Sequence, residues 1–69
     1  MTPEQVKAAR SWLGWTQVDL AQYARVGIST IIDYENKKRD PIPNNLKAIQ
    51  SALEEAGIEF TPDAIRRRK

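Results

Sequence analysis

The sequence contains no cysteine and no histidine. The first absence excludes disulfides and thiolate zinc sites. The second removes the commonest general base and the commonest neutral metal ligand. No apolar run exceeds three residues, far short of the roughly 20 that a membrane-spanning helix needs. The opening Met-Thr-Pro-Glu-Gln lacks the basic and apolar stretches of a signal peptide, so a reducing, cytoplasmic setting is expected. The three glycines are scattered and build no phosphate-cradling loop. With 69 residues, the chain is sized for one small domain and has no room for a separate ligand-sensing unit.

An enzyme is not expected from this inventory. Ser11, Ser29 and Ser51 have no imidazole to activate them, and Lys7 and Lys47 fall on polar faces. Glu54 and Glu55 are neighbours in sequence, so on a helix they diverge and make no carboxylate pair. No cofactor, metal or small-molecule ligand is expected.

Charge is unevenly placed. Of eleven lysines and arginines, four close the chain as Arg66, Arg67, Arg68 and Lys69. The seven that remain face nine acids, so the body is net negative. Within it, Lys37, Lys38 and Arg39 form one basic run, and Glu54, Glu55, Glu59 and Asp63 form an acidic stretch. A chain with this distribution can meet a polyanion only with one face.

Periodicity predicts four short helices. Thr2 caps the first, with Pro3 at its first position and Gln5 completing a capping box. Val6, Ala9, Arg10 and Leu13 share a face, and Gly14 stops the helix. Thr16 and Asp19 box the start of the second, Trp15 and Leu20 make its hydrophobic staple, and Leu20, Ala21 and Ala24 continue the buried stripe. Gly27 opens the third helix, which turns Val26, Ile31 and Tyr34 inward. Ile28, Ser29, Ile32, Asp33 and Asn36 then lie on its other side. A polar, proline-punctuated loop over 36–43 follows. The fourth helix starts near Pro43, buries Leu46, Ile49 and Leu53, and ends at Gly57 with Ile58 meeting Leu53. Residues 58–69 read either as one capped turn or as a hairpin joining Ile58-Glu59-Phe60 to Ala64-Ile65-Arg66. Trp12, at the edge of the first stripe, is expected to pack in the core or on the tail, with facing a second subunit as the alternative.

The string Ala9-Arg10, Leu13-Gly14-Trp15-Thr16-Gln17, Leu20-Ala21, Val26, Ser29-Thr30-Ile31, Tyr34-Glu35 and Pro41 resembles the Cro and lambda-repressor-like (Xre-type) helix-turn-helix family over residues 6–56. Beside the tail over 58–69, read from its own residues as a short C-terminal extended or hairpin segment, the resemblance implies an all-α, compact bundle of four or five helices over residues 1–57. It also implies transcriptional regulation by DNA binding, with the third helix as the reading element. Gln17 matches the glutamine that touches a phosphate, Ala21 the small residue at the helix crossing, and Arg10 with Glu35 a structural pair between the first and third helices. Two positions depart from the pattern. Arg25 stands where glycine is usual, and Gly27 with Ile28 open the recognition helix where Arg, Gln or Ser is frequent.

The expected DNA-contacting set is therefore Gln17, Ile28, Ser29, Ile32, Asp33, Asn36, Lys37, Lys38, Arg39, Asn44 and Asn45. The outward face of the third helix carries no Arg or Lys for bidentate reading of guanine, while isoleucines can meet thymine methyls. Lys37, Lys38, Arg39 and the start of the fourth helix are placed to grip phosphates. Double-stranded DNA, bound by a homodimer acting as a small repressor, is the expected partner, with no membrane. Ile28 and Ile32, exposed on a body of negative charge, leave a protein-interaction or antitoxin-like module as the alternative.

Overall fold

The computed structural model describes residues 1–68. Four helices, α1 (Pro3–Leu13), α2 (Gln17–Ala24), α3 (Ile28–Glu35) and α4 (Pro43–Glu55), are followed by strands β1 (Ile58–Phe60) and β2 (Ile65–Arg67).

The helix starts are set by local chemistry. Thr2 and Gln5 exchange side-chain and backbone hydrogen bonds at 3.1 and 2.9 Å, and Thr16 and Asp19 do the same at 3.0 and 2.9 Å. Each box satisfies N–H groups that a helix start leaves without partners. α3 begins at Gly27 with no side-chain cap. α4 begins after Ile42, with Pro43 in its first turn.

Three helix ends share one device. At Gly14, Arg25 and Lys37 the backbone turns left-handed, with φ of 72°, 58° and 59°. In each case the next residue reaches back: Trp15 N–H to Arg10 carbonyl, Val26 to Ala21 and Lys38 to Asp33, at 2.8 to 3.0 Å. These are Schellman closures. Arg25 thus takes the glycine's conformation despite its Cβ. Gly57, at φ 103°, turns the chain out of α4 and donates to the Glu54 carbonyl at 3.0 Å.

Every element contributes to one core. Val6 and Ala9 come from α1; Leu20, Ala21 and Ala24 from α2; Ile31 and Tyr34 from α3; Ile49, Ala52 and Leu53 from α4; and Ile58 from β1. α2 packs on both α3 and α4, which places α3 at one side of the bundle. Trp12 departs from expectation. It is 47% exposed and stands outside this core.

The tail is a hairpin, antiparallel, with Ile58 opposite Arg67, Glu59 opposite Arg66 and Phe60 opposite Ile65. The second strand starts one residue later than predicted. Ala64 stays in the turn because its carbonyl accepts from the Thr61 N–H at 3.0 Å and the Thr61 hydroxyl at 2.9 Å. The buried Gln5 amide donates to the Thr61 and Ala64 carbonyls at 2.7 and 2.8 Å. One side chain therefore caps α1 and docks the hairpin.

Candidate nucleic-acid interface

α3 presents its outward residues as two rows at four-residue spacing, Ile28-Ile32-Asn36 and Ser29-Asp33. Ile28, Ser29 and Asn36 are exposed, whereas Ile32 and Asp33 are half-buried. Because α3 ends in a left-handed turn at Lys37, the following loop folds back beside it rather than extending the helix. A cleft of about 220 Å³ results. Ser29, Thr30 and Asp33 form one wall; Arg39, Asp40, Pro41 and Ile42 of the loop and Asn45 of α4 form the other. Four expected residues, Ser29, Asp33, Arg39 and Asn45, thus meet in one place. Ile28, Ile32, Asn36, Lys38 and Asn44 do not line it. Asn44 and Asn45 leave α4 without a side-chain cap, so their amides are not consumed in capping.

Sequence reasoning missed Thr30, Asp40, Pro41 and Ile42 as cleft residues. Ile42 is the notable one, since it is 63% exposed beside polar groups. Its only signal was an apolar residue between two prolines in a charged loop.

The basic run divides. Lys37 pairs with Glu4 of α1, which holds the Glu4 carboxyl below its ordinary range, chiefly through that side-chain hydrogen bond. Lys38 and Arg39 are exposed and form no ion pair among the described residues. Glu4 was not anticipated, because nothing in the spacing of residues 4 and 37 announces their meeting.

Behind α3 lies a charged network. Arg10 grips Glu35 with two guanidinium donors at 2.8 and 2.9 Å, and its third donor reaches the Trp15 carbonyl at 2.9 Å. The fork geometry suits a carboxylate. The Glu35 side chain is fully buried and that of Arg10 is 18% exposed. The hydrogen bond from Glu35 raises the Arg10 guanidinium above its already high range, against the opposing effect of burial. Gln17, at the first position of α2, donates to the same carboxylate at 3.1 Å. Its amide is thereby oriented by α3, joining three helices through one buried acid. Tyr34 is also buried, and its hydroxyl donates to the Met1 carbonyl at 3.3 Å. Burial first, and the nearby charges of Asp40 and Glu4 second, push its phenol above the usual range.

Among the described residues no group of acids is arranged to hold a metal ion, and no helix is long and apolar enough to cross a membrane. Residues 6–60 match the family described as Helix-turn-helix, an Xre/Cro-type DNA-binding domain. Comparison with curated proteins gives no match.

Proposed function

Because this chain belongs to the Xre/Cro-type helix-turn-helix family, a family of non-catalytic DNA-binding domains, we propose that it is a sequence-specific regulator that acts by occupying an operator as a homodimer. The observation that carries the reading is the cleft where Ser29 and Asp33 of α3 face Arg39 and Asn45. Groups able to contact base edges stand beside groups able to hold the backbone. In this reading α3 enters the major groove. Ile28 and Ile32 meet thymine methyls, Asp33 accepts from a cytosine amine, and Asn36 pairs with adenine. Lys37, Lys38, Arg39, Asn44, Asn45 and the outer N–H of Gln17 hold phosphates, which fix register.

A single eight-residue helix reads few base pairs, so two copies on a palindrome supply the specificity. Their recognition helices would stand about 34 Å apart, a spacing compatible with a protomer whose longest extent is 30 Å.

Selection of bound duplexes from a random library, repeated at two salt concentrations, tests the proposal. The expected result is a palindromic, A·T-rich consensus whose affinity falls steeply with salt. Recovery of no consensus would leave a DNA-associating protein without sequence preference. No duplex affinity, together with tight assembly onto another protein, would replace the proposal with the interaction-module reading.

A further inference from the structure

A second groove, of about 270 Å³, is lined by Trp15, Tyr23, Ala52, Glu55 and Ala56. It is smaller than the clefts that hold drug-sized ligands and suits one inserted side chain. Its aromatic wall is preformed. The Trp15 and Tyr23 rings stack at 4.3 Å, 15° from parallel. Trp15 is pinned at both ends of its backbone: its N–H donates to the Arg10 carbonyl at 2.8 Å, and its own carbonyl accepts from the Arg10 guanidinium at 2.9 Å. Tyr23 is nevertheless 65% exposed. A ring already held in a stack loses little freedom when a partner covers it. Ala52 and Ala56 are too short to fill the space beside it.

Three features of this groove favour a cation. Glu55 is the one charged residue of the lining; it is exposed and forms no ion pair among the described residues. Ala52, Glu55 and Ala56 belong to the last turn of α4 and its cap, where the helix dipole is negative. The face of an aromatic ring attracts a guanidinium through its quadrupole. The chain's own Arg68 shows that this helix end accepts one, since its guanidinium donates to the Glu54 carbonyl at 2.7 Å without lining the groove. Arg66 and Arg67, opposite Glu59 and Ile58 in the hairpin, do not line it either. A planar guanidinium can stack on the Tyr23 ring while its edge holds the Glu55 carboxylate, a combination that the point charge of a lysine does not match. The same features repel a phosphate backbone, so the groove is no extension of the α3 interface.

We propose that the Trp15–Tyr23–Glu55 groove docks an arginine on a basic segment of a different protein. The proposal goes beyond the operator reading and does not depend on it. Ala52 and Glu55 lie about 10 and 15 Å along α4 from Asn45 of the α3 cleft, so a partner can sit here while the cleft is occupied. Such a surface lets a second protein join the domain wherever the domain is bound.

The test selects binders from a random-peptide library on the full chain without DNA, so that its outcome is independent of operator binding. Peptides held by a Glu55→Lys variant are removed first, which leaves those that need the groove. The survivors should carry an arginine. Replacing that arginine by lysine in the peptide, or making Glu55→Gln or Tyr23→Leu in the protein, should each weaken binding by about threefold to tenfold. Both protein positions are exposed, and circular dichroism should show the fold retained in every variant. Glu55→Gln keeps the shape of the side chain, so its loss reads charge rather than packing. No enriched peptide, enriched peptides without arginine, or binding indifferent to Glu55→Gln and Tyr23→Leu would each overturn the proposal. Sedimentation showing the parent dimeric and the Glu55→Lys variant monomeric would overturn it as well, because a second copy of the chain would then fill the groove.

Discussion

At the scale of single residues, the Glu35 carboxylate is the most consequential group in the molecule. It has no exposure and three side-chain donors, two from Arg10 and one from Gln17. A buried ion pair need not favour folding over an apolar substitute, but breaking one partner strands the other. Arg10→Met should therefore cost about 3 kcal/mol, and Glu35→Leu a similar amount. The double change should recover much of that loss. Urea unfolding of the two single variants and the double variant measures the coupling, and small additive losses would deny it. Arg25 is a second residue under local constraint. At φ 58° it bears the left-handed penalty of roughly 1–2 kcal/mol. Arg25→Gly should then stabilise the domain by about 1 kcal/mol, the remainder being offset by glycine's greater freedom in the unfolded chain. A lower melting temperature would show that the arginine side chain compensates in some other way.

At the scale of elements, the helices were legible because their signals are local. Thr2 with Gln5, Thr16 with Asp19, and the Gly14 stop each act within one turn. Arg10 with Glu35 was legible only through the resemblance, since a pair 25 residues apart leaves no periodic trace. The hairpin was half-legible. Ile58, Phe60 and Ile65 signalled an apolar tail, but its anchor, Gln5, already had an evident role as a cap. Ile58 is fully buried in the core of its own chain, with Phe60 and Ile65 packed beside it. Truncation after Gly57 should accordingly destabilise the fold itself, since burial of Ile58 alone contributes about 1.5–3 kcal/mol. Gln5→Ala should reproduce part of this. It would lose two hydrogen bonds to hairpin carbonyls, at about 1–2 kcal/mol in all, while α1 keeps its Thr2 cap. Hydrogen exchange should show the hairpin amides losing protection before those of α2. Uniform loss across the molecule would mean that the hairpin is no separate unit.

At the scale of the whole molecule, the question is how a body of net negative charge approaches a polyanion. The cations near α3 are few, and one of them is compensated internally, because Glu4 holds Lys37. Both side chains are more than 60% exposed, so the pair adds little to folding. In the DNA-binding reading its effect falls on affinity instead. A phosphate must displace Glu4 before Lys37 can contribute, whereas Lys38 and Arg39 are free at once. Each phosphate contact adds about 0.9 to the slope of log affinity against log salt. Lys38→Ala should lower that slope by about 0.9 on selected and scrambled duplexes alike. Ile32→Ala should leave the slope alone and relax preference at one or two base pairs, by at most about 1–3 kcal/mol. Glu4→Gln should act in the opposite sense to Lys38→Ala. It frees Lys37, so the slope should steepen and low-salt affinity rise several-fold, with little change at high salt where the ion pair is screened. Adding Lys37→Ala to Glu4→Gln should cancel the gain. If Glu4→Gln strengthens binding equally with and without Lys37, then Glu4 acts by direct repulsion of the duplex, and the lysine is no part of the grip.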